Sequence, residues 1–248
     1  MIDIRRSVER NYVQQDNCEI WRTIFPKDIS NPFTDSFGVL TVFNEIRLSP
    51  GGGTLPEICD EAEVVTYVCK GALAYNNSNR SSGVIHTGEF QYITTGKKNR
   101  RKEKNASQTD SMHIFRLLLH PSQVGLDPAH EQKRFTAAQR RNLLCVIASE
   151  DGRKGSLRIH QDALIHSGIL DPGYHLIHEL LPGRSAWLHV IYGEVKLDDI
   201  IMITGDGAGF TKEPLVSLTA NENTEILLVD LGQTLISKLN FLEPTEKK

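Results

Sequence analysis

The chain has 248 residues, 39% of them hydrophobic and 24% charged, a balance that suits a soluble globular protein and excludes wholesale disorder. The 28 Lys and Arg against 31 Asp and Glu leave a formal charge of −3, which excludes the global basic surface of a nucleic-acid-binding protein. No apolar run approaches the ~18–20 residues of a membrane span, and the first residues lack the apolar stretch of a secretory signal. Cys18, Cys59, Cys69 and Cys145 are scattered with no CxxC pair, so a reducing, cytoplasmic setting is expected.

In chain order, a first short helix is expected at 16–25. Gly51-Gly52-Gly53 reads as a turn, because no helix-forming segment follows to make a phosphate loop of it. Val64-Val65-Thr66-Tyr67-Val68-Cys69, closed by Lys70-Gly71, is an apolar, β-branched run of strand length. Asn76-Asn77-Ser78-Asn79 marks a turn, and a second short helix is expected at 135–142. Glu150-Asp151-Gly152 and Asp171-Pro172-Gly173 mark further turns. Trp187-Leu188-His189-Val190-Ile191-Tyr192, closed by Gly193, reads as a strand; Gly205-Asp206-Gly207 is a turn; Glu225-Ile226-Leu227-Leu228-Val229-Asp230-Leu231 is a late strand ending at Gly232. A third short helix is expected at 234–239, ahead of a polar tail that frays. The punctuation is that of an all-β protein.

A faint duplication runs through this pattern. Val68-Cys69-Lys70-Gly71-Ala72-Leu73 and Val190-Ile191-Tyr192-Gly193-Glu194-Val195 share a glycine corner at a strand end, and each is followed by a second glycine beside an acid, Gly88-Glu89 and Gly205-Asp206. Two stacked double-sheet barrels produce such a repeat. The seam falls at 128–142, where charged residues interrupt the apolar runs.

Several segments resemble the pirin family of bicupins, including its bacterial quercetin 2,3-dioxygenase-like members. They are Phe37-Gly38-Val39-Leu40 with Val42-Phe43-Asn44, Pro50-Gly51, Glu63-Val64-Val65-Thr66-Tyr67-Val68, Gly88-Glu89-Phe90-Gln91-Tyr92-Ile93-Thr94-Thr95-Gly96, Glu131-Gln132-Lys133-Arg134-Phe135, Gly155-Ser156-Leu157 with His160-Gln161-Asp162, and Leu228-Val229-Asp230-Leu231. The resemblance implies a bicupin fold of two double-stranded β-helix (jelly-roll) barrels in one chain. On this reading the N-terminal cupin domain spans 1–134, the C-terminal one 135–232 and a tail 233–248. The family implies a metal in the N-terminal barrel.

A mononuclear cupin centre takes imidazoles and a carboxylate, two from alternate residues of one strand and two from another, because a period of two points both side chains at one face. In the pirin pattern the first pair of slots falls on Glu57 and Cys59 and the second on Arg101 and Glu103, so only the glutamate matches. Arginine has no lone pair to offer a metal. The expectation is that Arg101 stands in for the ion as an internal charge between Glu57 and Glu103, with no cofactor bound. Two alternatives stay open: some of these side chains turn outward, or Fe or another divalent transition metal binds through Glu57, Cys59 and Glu103.

Three functions follow. The preferred one is a pirin-like bicupin without its metal centre or quercetinase activity, acting as a small-molecule-binding, redox-responsive or partner-binding protein. Its pocket would take a small anionic or aromatic ligand, with Cys59 as the candidate redox group. The second is a cupin dioxygenase of the quercetin 2,3-dioxygenase type with altered ligands, and the third a transcription cofactor working through a protein partner. The basic run Lys97-Lys98-Asn99-Arg100-Arg101-Lys102-Glu103-Lys104 reads first as a solvated edge, then as an anion-attracting mouth. Nucleic acid is disfavoured because no aromatic interleaves it. Cys69 and Cys145 read as core residues. His175 and His178 should face opposite sides of one strand, and His160 should pack or hydrogen-bond at the seam.

Overall fold

The computed structural model describes residues 1–26, 35–54, 62–77, 82–94, 101–123 and 125–232. The chain is all-β and builds two barrels, each from a large and a small sheet, which is the bicupin arrangement. In the first barrel the large sheet runs His130–Arg134, Glu89–Thr94, Glu63–Lys70, Met112–Leu119, Leu40–Leu48, Cys18–Ile24, Asn11–Gln15. The small one runs Ser82–His86, Ala72–Asn77, Arg101–Asn105. The second barrel pairs Ile2–Arg5, Gly207–Thr211, Ser185–Tyr192, Thr224–Leu231, Ala163–Leu170, Cys145–Ser149 and Leu157–Arg158 in one sheet. Its small sheet runs His175–Glu179, Leu215–Ala220, Glu194–Leu197, Ile200–Ile203.

The central strands are apolar on both faces, and that places the core. In Met112–Leu119, Met112 and Ile114 enter the first barrel beside Ile46, Leu48, Val68 and Leu73. Phe115, Leu117 and Leu119 face the other way, into a core that also takes Ile147, Ile165, Trp187, Leu227 and Val229 from the second barrel. Thr224–Leu231 repeats the device: Ile226 and Leu228 fill its own barrel while Leu227, Val229 and Leu231 join the shared core. Strands covered on both sides need no polar alternation, which is why they read as continuous apolar runs.

The glycine corners of the repeat are alike in backbone. Gly71, Gly88, Gly193 and Gly205 take φ of +86°, +81°, +91° and +87°. At Gly193 a Cβ would lie 2.5 Å from the Asn223 carbonyl oxygen, so both the left-handed backbone and the close approach require glycine.

Residues 16–25, expected as a helix, form the strand Cys18–Ile24, hairpinned to Asn11–Gln15 through Asp16 and Asn17. Cys18 and Ile20 enter the barrel, whereas Trp21 lies under Arg47, whose guanidinium carbon sits 4.9 Å from the ring centroid. Two covered faces demand a period of two, which a helix cannot supply. The expected helix at 135–142 is a single turn, Ala137–Arg140, capped reciprocally by Thr136 and Gln139. Asn76 and Asn77, expected in a turn, extend the strand Ala72–Asn77; residues 78–79 and the helix expected at 234–239 lie outside the described residues. A division of the chain at 134/135 assigns Ile2–Arg5 to the first barrel, yet its hydrogen bonds are with Gly207–Thr211 of the second. No helix among the described residues is long and apolar enough to cross a membrane.

Candidate functional site

The strand Arg101–Asn105 settles the direction of the second pair of slots. Arg101 and Glu103 face into the first barrel, and Lys102 and Lys104 face solvent. The solvated reading of the basic run therefore holds for those two lysines, while residues 97–100 lie outside the described residues. Glu57 and Cys59 also lie outside them, so the structure describes half of the expected site.

Glu103 is the hub of what is described. Its side chain is 5% exposed; Arg101 Nε donates to Oε1 at 2.7 Å, Arg116 Nη2 donates to Oε2, and Thr54 Oγ1 donates to Oε2 at 3.4 Å. Burial alone would raise the Glu103 carboxyl, but Arg116 and then Arg101 outweigh it and hold the pKa below its ordinary value. Arg116 comes from Met112–Leu119, on the inward face with Met112 and Ile114.

Arg101 is fixed from two further sides. Its guanidinium carbon lies 4.1 Å over the Tyr75 ring, and Nη2 donates to Gln91 Oε1. That bond orients the Gln91 amide, so Gln91 Nε2 faces His130 Nε2 at 2.9 Å. The Tyr75 hydroxyl meets the same ring nitrogen at 3.0 Å. Two donors on one nitrogen make it the lone-pair nitrogen of a neutral imidazole. Burial, and then the nearby Arg101 charge, keep the His130 pKa down. His130 is exposed, whereas Gln91 is 1% exposed, so a polar chain leads from the surface to a guanidinium in the barrel. Arg101 Nη1 is buried and has no hydrogen-bond partner among the described residues.

The described residues of this first-barrel site do not make a donor set for a transition ion. Arg101 is a cation without a lone pair, and both oxygens of Glu103 already accept from guanidiniums. No group of three or more His, Cys, Asp or Glu side chains among the described residues is arranged to hold a metal. What the arrangement can do is receive an anion, through the spare Nη1 of Arg101, against the aromatic ring of Tyr75. Sequence spacing reached Arg101 and Glu103. It missed Arg116, Gln91, Tyr75 and His130, which come from four other strands and carry no motif of their own.

The remaining residues singled out from sequence sort by face. His175 is exposed and bonds Thr219 Oγ1 at 2.9 Å, while His178 of the same strand turns inward, as the period of two requires. His160 meets the seam through its backbone, its N–H donating to Glu63 Oε2 at 2.7 Å. Cys69 and Cys145 pack against the shared core, and burial pushes both thiols up.

Comparison with known proteins fits this architecture. The family model described as Pirin matches residues 29–119, and the one described as Quercetinase C-terminal cupin domain matches 146–231. A quercetin 2,3-dioxygenase of Escherichia coli (strain K12) is 30% identical over 233 residues, covering 93% of this chain and 99% of that protein. A putative quercetin 2,3-dioxygenase of Pasteurella multocida is 28% identical over 206 residues, covering 82% of this chain and 87% of that one. Among solved structures, the bacterial pirin YhhW from Escherichia coli in complex with nickel(II) superposes with a TM-score of 0.86 at 27% identity, covering 94% of this chain and all of that one.

Proposed function

Because this chain belongs to the pirin family, we propose that it is a ligand-binding pirin whose N-terminal barrel takes a small acidic, preferably aromatic, molecule in place of a catalytic transition ion. The observation that carries the reading is the Glu103 carboxylate held between Arg101 and Arg116. Flavonol oxygenation needs a redox ion with open positions where substrate and O₂ are activated. Cations without lone pairs supply neither the ion nor its ligands. A carboxylate or phenolate entering past His130 would meet Arg101 Nη1, lie against Tyr75 and complete the coordination of a guanidinium that the described residues leave partly unmet.

A second reading is supported by the relatives named quercetin 2,3-dioxygenase and by the nickel(II) complex of YhhW: a metal-dependent dioxygenase with unusual ligands. One experiment separates the two. Benzoate is titrated calorimetrically into the wild-type chain and into Arg101→Met, with benzyl alcohol as the neutral control, and oxygen uptake with a flavonol is followed after incubation with Fe(II) or Ni(II). The ligand-binding reading expects benzoate affinity that falls at least tenfold in Arg101→Met, no matching affinity for the alcohol, and no oxygen uptake. Oxygen uptake that Glu103→Gln abolishes would return the chain to the oxygenases.

A further inference from the structure

The second barrel holds a polar cluster inside an otherwise apolar wall. His166 faces inward from Ala163–Leu170, opposite Leu228 in register, and His178 faces inward from His175–Glu179 between Leu176 and Leu180. The two imidazoles meet at a centroid distance of 5.0 Å and an interplanar angle of 61°. Asp230, 3% exposed, reaches both neighbours: His178 Nε2 lies 2.9 Å from Oδ2, and Arg184 Nε donates to Oδ1 at 2.5 Å.

Each ring has one side fixed. His178 is held through Nε2 by the Asp230 carboxylate, and the His166 ring hydrogen-bonds the Leu228 backbone. His166 Nδ1 is buried and has no hydrogen-bond partner among the described residues, in a residue 5% exposed. An imidazole anchored by a carboxylate or a carbonyl on one nitrogen, with the other left as a lone pair, is the second-sphere pattern of metal-binding histidines. The distance fits as well. With metal–nitrogen bonds of about 2.0–2.1 Å and about 1.1 Å from nitrogen to ring centre, two imidazoles at a tetrahedral angle place their centroids about 5.2 Å apart.

We propose that the second barrel binds a divalent late first-row transition ion between His166 and His178, with Asp230 orienting His178 and water completing the coordination. This barrel differs in charge from the first. Arg184 is spanned by two carboxylates, Asp230 and Asp162, the latter 2.7 Å from Nη1, so the group is not cationic. Lys154 also acts on His166, from an exposed position where solvent screens it. His178 keeps a 16% exposed side chain and Asp162 a 60% exposed one, which leaves a way in from solvent.

Untagged full-length protein, stripped with a chelator, is titrated with Zn(II) against a competing indicator, and Cu(II)-loaded wild type is examined by electron paramagnetic resonance. The expected result is one ion per chain, affinity reduced at least tenfold in His166→Gln and in His178→Gln, about 10–100-fold in Asp230→Asn, and unchanged in a variant of the exposed His175, His175→Gln. The Cu(II) spectrum should carry superhyperfine coupling to two imidazole nitrogens, a readout that stands even where a variant fails to fold. Affinity that survives both histidine changes, a spectrum without nitrogen coupling, or loss of the ion in His175→Gln overturns the assignment.

Discussion

Replacing Glu103 by Gln removes the anion that two guanidiniums share, and the structure fixes how much that should cost. The side chains of Glu103, Arg101 and Arg116 are 5%, 11% and 6% exposed, so water offers little compensation. Deleting one partner of a buried pair costs roughly 3–5 kcal/mol, and a carboxylate serving two cations belongs in the upper half of that range. Arg101→Met should be milder, because Glu103 keeps Arg116. The loss is then the hydrogen bonds to a charged group, about 1.5–3 kcal/mol, and the stacking on Tyr75, about 0.5–1 kcal/mol. The double variant should cost less than the sum, since both changes remove the same interaction. Urea denaturation followed by circular dichroism measures all three, and acid adds a signature. A carboxylate depressed in the folded state stabilises fully above its unfolded pKa, about 4.3, and loses that contribution as pH falls through the folded value. The advantage of wild type over Glu103→Gln should therefore be constant near neutrality and shrink below about pH 4.3. A Glu103→Gln cost within ~0.5 kcal/mol of zero, or below that of Arg101→Met, would refute the reasoning.

His189 is fully buried between the rings of Phe43 and Phe115, with neither ring nitrogen hydrogen-bonded. His189→Leu should be neutral or stabilising by about 1–2 kcal/mol in thermal or chemical melts, because it removes unsatisfied polar atoms. Burial, and then the Arg10 charge, lower its pKa to about 3. Wild type should accordingly lose stability as pH falls from about 6.5 toward that value, and His189→Leu should lack this component of the slope. Glu45, 3% exposed, accepts from Arg10 and Arg47 and lies 2.8 Å from His113 Nε2. Burial opposes its ionisation, but the His113 and Arg10 contacts bring the pKa down to about 2. Glu45→Gln should cost roughly 3–5 kcal/mol at neutral pH, an excess that fades as pH drops from the ordinary carboxylate range toward 2. Gly193→Ala, at φ +91° and against the Asn223 carbonyl, should destabilise by more than ~1 kcal/mol in the same melts.

The strands around Val64, Trp187 and Leu227 were legible because both their faces are covered, which leaves a run of apolar and β-branched residues that no helix of that length would show. The segment 16–25 was not, because Cys18, Ile20, Trp21 and Ile24 satisfy helical spacing as readily as alternation. The deciding fact, that Trp21 stacks under Arg47 on the far face, is tertiary. At the first-barrel site, a motif spacing located Arg101 and Glu103, and strand periodicity turned both inward. Arg116, Gln91, Tyr75 and His130 could not be found that way, since only strand order and register bring them together. The same holds in the second barrel, where the spacing of His175 and His178 correctly separates them, but nothing in the sequence announces His166 or Asp230 as neighbours of His178.

The strand Ile2–Arg5 is hydrogen-bonded to residues more than two hundred positions downstream, and Arg5 also reaches back to the Thr23 carbonyl and covers the Trp187 ring. On the ribosome this strand therefore emerges about two hundred residues ahead of its partner and docks only when that partner follows. At about 5–20 residues per second, its partner follows roughly 10–40 s later. Throughout that interval the nascent chain carries an open strand edge of the kind that pairs with strangers. Vectorial synthesis thus makes the seam between the barrels a late closure, and a chaperone would find its target in this early-made strand.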